Sequence, residues 1–253
     1  MSGPQGPSPM ASLTTYAPPV VVTRGSTDPA APLVVLLHGR GSDEQAIIGL
    51  ADLLPEGPAY AAVRAPIAEG GGFAWFANRG IGRPIAASLA QSIAWFREWL
   101  DEVAPAGRPV ILVGFSGGAA AAGGILLDDP HRFAGGAILY GTMPFDAGLA
   151  TDPGRLGSLP MFLAQGEQDR VIPGELLQRT WAYLRGDSGA DATSYRDGGA
   201  HGLTQGALDA LNAWLAQRQA PTPTRAPTSL RAAGSRAAPA EPPGRRARTS
   251  PRG

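Results

Sequence analysis

PVILVGFSGGAAAAGGILLDD, residues 109–129, is the stretch that decides the fold. Its first part, Pro109–Phe115, is apolar on both faces, the pattern of a strand buried within a parallel sheet. An alanine-rich helix begins near Ala119. Between them stands Gly114-Phe115-Ser116-Gly117-Gly118, a match to G-x-S-x-G. In a chain with 35 glycines the pentapeptide alone says little; its place between strand and helix says more. A turn this tight strains the serine backbone and needs small residues on both sides. It lifts the hydroxyl to a helix N-terminus, where partial positive charge favours an anion.

Outward from this turn, further apolar runs read as strands: Pro32–Leu37, Tyr60–Arg64, Ala137–Tyr140, Pro160–Ala164 and Ala192–Arg196. Between them, apolar residues recur at helical spacing. Ile47, Leu50, Leu53 and Leu54 form one face; Leu89, Ile93, Phe96 and Leu100 a second; Leu203, Leu208, Leu211 and Leu215 a third. Strands alternating with helices predict an α/β fold, a single doubly wound and mostly parallel sheet flanked by helices. The folded domain is expected over residues 13–218. Residues 1–12 and 219–253 hold too little apolar surface to offset the entropy of ordering and are expected to be disordered.

In such sheets, functional groups collect at the carboxyl ends of strands. A serine nucleophile needs a base to take its proton and a carboxylate to orient that base. Three histidines are available. His131 follows Asp-Asp-Pro and reads as a surface residue. His38, in LLHGRGSDE (36–44), lies upstream of the serine and reads as a residue that holds its loop by hydrogen bonds. His201 follows a strand and a Gly-Gly pair, so a loop can carry it over the sheet. Asp169, just past the strand at 160–164, gives the order serine, acid, histidine. Asp197 is its rival, but it lies only four residues before His201 and would have to share the same loop. The developing oxyanion needs donors; the backbone N–H groups of Arg40 and Gly117 are placed to supply them. Phe73, Trp75, Phe76, Met143 and Phe145 are candidates for an apolar acyl pocket, or else simply for packed core.

At these residues the sequence resembles the phospholipase/carboxylesterase family of α/β-hydrolases, which includes acyl-protein thioesterases. The matching blocks are LLHGRGSDE (36–44), GFSGG (114–118), QGEQDRVIP (165–173) and GGAHGL (198–203). The segment Phe73-Ala74-Trp75-Phe76 also looks like a family feature near the substrate entrance. The resemblance implies an α/β-hydrolase fold with little or no lid and no cofactor. It supports Ser116, Asp169 and His201 as a catalytic triad acting on short- to medium-chain acyl esters or thioesters. The long C-terminal segment is not a family trait. A peptidase, a lactone hydrolase or a lyase on the same fold, or a non-catalytic binding module, remain alternatives.

Composition narrows the rest. No cysteine is present, which excludes disulfides, thiol catalysis and cysteine-held metal. No run approaches the roughly 20 apolar residues of a membrane span, and the first residues lack the pattern of a secretory signal. The expected location is therefore cytoplasmic. The formal net charge is zero, yet residues 218–253 carry eight arginines against Glu241 alone. Without aromatic residues to stack on bases, this segment is not expected to bind nucleic acid. The expected partner is a small acyl ester or thioester; no metal is expected, and the sequence leaves the oligomeric state open.

Overall fold

The computed structural model describes residues 16–218, so the expectations for 1–12 and 219–253 lie outside the described residues. In chain order the strands are β1 (Val21–Gly25), β2 (Leu33–Leu37), β3 (Ala59–Val63), β4 (Ile67–Glu69), β5 (Gly72–Ala74), β6 (Asn78–Gly80), β7 (Arg83–Pro84), β8 (Val110–Phe115), β9 (Gly135–Leu139), β10 (Pro160–Gly166) and β11 (Asp191–Asp197). The helices are α1 (Glu44–Ile48), α2 (Ala86–Val103), α3 (Gly117–Asp128), α4 (Gly174–Arg185) and α5 (Gln205–Ala216). Seven strands form the main sheet in the order β1-β3-β2-β8-β9-β10-β11. Only β1 runs antiparallel to its neighbour. The pairs β4–β5 and β6–β7 are small antiparallel hairpins between β3 and α2.

The six strands expected from sequence all appear, with ends moved by a residue or two. The seventh, β1, is half-exposed along its length and gains its place by pairing with β3 rather than from its own apolar content. One helix differs from expectation. The face through Ile47 and Leu54 breaks after Ile48 into a 3-10 turn over Gly49–Leu53, which leaves Leu53 exposed. Glycine at 49 weakens the helix at that point.

Successive side chains of a strand point to opposite faces, and the core divides accordingly. Leu33, Val35 and Leu37 of β2 join Leu112 and Leu163 in a cluster covered by α2 and α3. Val34 and Leu36 join Ile111, Val113 and Phe162 in a cluster covered by α5 and α1. α3 is buried on nearly every side, as its alanines suggest. Small side chains let it lie close to the sheet, with Gly124 packed against Leu89 and Ile93 of α2.

The loop after β2 is tied to the end of β3 by an ion pair. Glu44 is fully buried and accepts two hydrogen bonds from Arg64, at 2.6 and 2.7 Å. The guanidinium holds the Glu44 carboxyl below its ordinary value, against the opposing effect of burial. Arg64→Ala strands a buried carboxylate and is expected to cost about 3–5 kcal/mol at neutral pH. A carboxyl held low in the fold adds stability above its unfolded value and loses it as pH falls through the folded one. The gap between wild type and R64A should therefore narrow on acidification below the ordinary value of 4.5. Urea titrations of both proteins at pH 7 and pH 4 measure it, and an equal gap at both would remove Glu44 from this account.

Candidate active site

β8 delivers its chain to α3 through a turn that only glycine permits. A Cβ on Gly114 would lie 2.3 Å from the Gly118 carbonyl oxygen, and one on Gly118 would lie 2.1 Å from that of Leu37. Between them Ser116 adopts φ 55° and ψ −115°, a conformation that is strained for a residue with a side chain. Its N–H donates to the Leu139 carbonyl at 2.9 Å, which fixes the turn to the end of β9. The hydroxyl is thereby presented at the N-terminus of α3.

His201 Nε2 lies 2.8 Å from Ser116 Oγ, and its Nδ1 lies 2.8 Å from Asp169 Oδ2. Nδ1–H therefore donates to the carboxylate, leaving Nε2 to accept from the serine. The Asp169 side chain has no exposed surface, whereas the His201 side chain keeps 16%. The other oxygen of Asp169 accepts from the Val171 and Ile172 amides at 2.9 and 3.0 Å. Three strand ends thus bring a hydroxyl, an imidazole and a carboxylate into one hydrogen-bonded line.

The rival residues have other partners. Asp197 accepts from Tyr140 Oη at 2.7 Å, from Thr204 Oγ1 at 2.6 Å and from the Gly199 amide at 2.8 Å. Burial acts to raise its pKa, but these hydrogen bonds prevail and hold it below the usual value. Asp197 anchors the His201 loop to the end of β9. His38 is fully buried; its Nδ1–H donates to Gly39 O at 2.7 Å, and its Nε2 accepts from the Ala65 amide at 3.1 Å. Burial lowers its pKa and keeps the ring neutral. His131 is exposed.

The Arg40 backbone nitrogen faces Gly117, where a Cβ would sit 3.1 Å from it. No backbone carbonyl of the described chain engages the N–H of Arg40 or Gly117. The Arg40 side chain turns away to a two-pronged ion pair with Glu69 of β4 and a 3.1 Å hydrogen bond to Phe76 O.

A cavity of about 540 Å³ opens at Ser116. Trp75 and Phe76 line it, as the sequence suggested, together with Ile47, Phe115 and Ile172. Phe73 and Met143 do not. The Phe73 ring instead lies under the Arg64 guanidinium at 4.6 Å. Met143 is buried in the core against Gly123 of α3, and Phe145 packs edge-on to Tyr183. Sequence reasoning missed Asn78 and Ile81, carried to the cavity by the β6–β7 hairpin, and Val171 beside Ile172. Three-residue strands give almost no periodic signal, although Gly80, Gly82 and Pro84 do mark a turn. Among the described residues, no three histidine or acidic side chains gather as a metal would require. No helix of these residues is long and apolar enough to cross a membrane.

A mostly parallel sheet with a strained serine at a strand–helix turn defines the α/β-hydrolase class. Comparison with known proteins narrows this further. The model of the phospholipase/carboxylesterase family matches residues 19–218, and the chain belongs to that family. It is an esterase-like hydrolase. A Bacillus subtilis (strain 168) protein named "Putative hydrolase MhqD" is 29% identical over 187 residues, which are 72% of this chain and 91% of that one. The carboxylesterase of Bacillus cereus has the same fold, with a TM-score of 0.70 at 22% identity, covering 78% of this chain and 93% of its own. Esterase PE8 aligns at 27% identity with a TM-score of 0.66, covering 79% and 99%.

Gly118→Ala would press a methyl group into two carbonyl oxygens, and is expected to destabilise by more than about 3 kcal/mol. Gly174→Ala, at the start of α4 with nothing within 4 Å of the new Cβ, should stay within about 1 kcal/mol of wild type. Thermal unfolding of the two variants side by side measures the contrast; equal behaviour would contradict the turn described.

Proposed function

We propose that the protein is a serine esterase that hydrolyses short- to medium-chain acyl esters or thioesters through an acyl-enzyme on Ser116. The observation that carries this reading is the continuous hydrogen-bonded line from Ser116 through His201 to Asp169, set in the wall of an apolar cavity. Neutral His201 takes the hydroxyl proton at Nε2 as Ser116 Oγ attacks the acyl carbon. The carbonyl oxygen becomes an oxyanion and accepts from the N–H groups of Arg40 and Gly117. His201 then gives the proton to the departing alcohol or thiol, and the C–O or C–S bond breaks. Water enters and loses a proton to His201, and its oxygen attacks the acyl-enzyme. Return of that proton to Ser116 releases the acid. Asp169 holds the tautomer throughout and stabilises the transient imidazolium.

The lining supports an apolar acyl group. Ile47, Phe115, Val171 and Ile172 line the cavity that opens at Ser116, and a pocket of this size holds a small organic ligand. No step needs a metal or a cofactor.

A fluorophosphonate probe should label Ser116 stoichiometrically, as read by mass spectrometry of the modified peptide. Ser116→Ala should abolish labelling and lower kcat on p-nitrophenyl butyrate by about 10⁶. Asp169→Asn should lower kcat by about 10⁴. Asp197→Asn, which leaves His201 its carboxylate, should cost far less. Near-normal kcat in either S116A or D169N would overturn the scheme.

A further inference from the structure

Cavities that bind small molecules are mostly apolar, with a few polar groups that fix orientation. Beyond the reacting groups, the polar wall of this cavity is nearly all committed within the protein. Both nitrogens of His38 are hydrogen-bonded. The guanidinium of Arg40 is taken by Glu69 and Phe76 O. Thr142 Oγ1 lies 2.9 Å from Thr180 Oγ1 and 3.0 Å from Met143 O. Ser42 is only partly buried, so water can serve its hydroxyl. Asn78 is the exception. Asn78 lines the cavity, its Oδ1 is sealed from solvent without a hydrogen-bond partner, and no hydrogen bond among the described residues engages its NH2. The other orphaned buried side-chain atoms among the described residues, on Tyr183, Asn212, Trp214 and Arg218, belong to residues outside the cavity lining.

A buried polar group left unpaired costs about 1–3 kcal/mol, so its position calls for a reason. Asn78 is also not placed there by slack. Its strand pairs with Pro84 across the hairpin. The hairpin turns at Gly82, with φ 71°, and seats this glycine against Thr142 and Leu176. At its ends, Ala77 N–H donates to Ser88 Oγ and Ala77 O accepts from Ile85 N–H. The same hairpin brings Ile81, 54% exposed, to the cavity beside Asn78.

From this juxtaposition we infer that Asn78 is a specificity residue for the esterase reaction, recognising a hydroxyl on an uncharged and otherwise apolar ester. The inference rests on the esterase reading of Ser116. The terminal torsion of an asparagine side chain is roughly two-fold, so a half-turn exchanges its C=O and NH2. A substrate hydroxyl both donates and accepts, and so meets whichever end of the carboxamide the cavity leaves open. A charged substituent is disfavoured, because Arg40, the only side chain in the wall with a permanent charge, is already neutralised by Glu69. The apolar remainder of the substrate lies along Ile47, Ile81 and Ile172.

The test compares kcat/KM for butyl butanoate with that for analogues carrying one hydroxyl at successive positions of the acyl chain or of the alcohol. Wild type is expected to favour at least one hydroxylated ester over the parent by about tenfold, the yield of one well-made neutral hydrogen bond. Asn78→Leu and Asn78→Ala should bring that ratio close to one. A residue that only held the hairpin would lower all rates alike and leave the ratio intact. Persistence of the ratio in both variants overturns the inference, as does a fast wild-type enzyme indifferent to every hydroxyl. Failure to hydrolyse any member of the panel would instead overturn the esterase reading, and this inference with it.

Discussion

The backbone of Gly118 rests against the carbonyl oxygens of Leu37 and His38, closer than any side chain would allow. That contact sets the start of α3 across the end of β2. Next to it, Gly117 lies against the Arg40 backbone nitrogen and Ser116 takes its positive φ. Such a conformation costs on the order of 1–3 kcal/mol and persists only where its surroundings over-determine it. Here the surroundings are the Leu139 carbonyl, which holds the Ser116 amide, and the run Ala119–Ala122, whose small side chains let the helix settle onto the sheet. Packing that looks merely structural therefore sets the geometry of the Ser116 hydroxyl.

Around this contact, identical residue types divide their work by environment. His38 and His201 are both imidazoles at loops above the sheet. His38 is sealed, neutral and bonded through both nitrogens, while His201 is partly exposed between a carboxylate and a hydroxyl. Asp169 and Asp197 both lie at or beyond the ends of adjacent strands, β10 and β11. One meets the imidazole, and the other meets Tyr140, Thr204 and Gly199 and so shapes the loop that carries it. The Trp75 indole N–H, donating to His38 O at 2.8 Å, links the cavity wall to the loop bearing Arg40.

The parallel core strands were legible because they are apolar on both faces, and their alternation assigned each residue to one of two clusters. The proximity of Ser116, Asp169 and His201 was anticipated because chain order and strand ends constrain it strongly. The cavity wall was not. Whether Phe73 faces a ligand or a guanidinium depends on which way a three-residue strand is turned, and whether Met143 faces α3 depends on the small residue at Gly123. Aromatic content shows only that a side chain will be covered. The role of Asn78 was equally hidden, because an unsatisfied amide can be recognised only when its neighbours are known.

Arg40 offers the proposed reaction only its main-chain N–H, and its guanidinium is occupied elsewhere. The two halves of this residue are thus separable: any amino acid but proline could retain the donor, while the side chain remodels the rim. Together with the facing Glu69 it forms a detachable fitting at the mouth. Divergence or redesign could exchange that fitting to admit bulkier or differently charged molecules without rebuilding the machinery beneath.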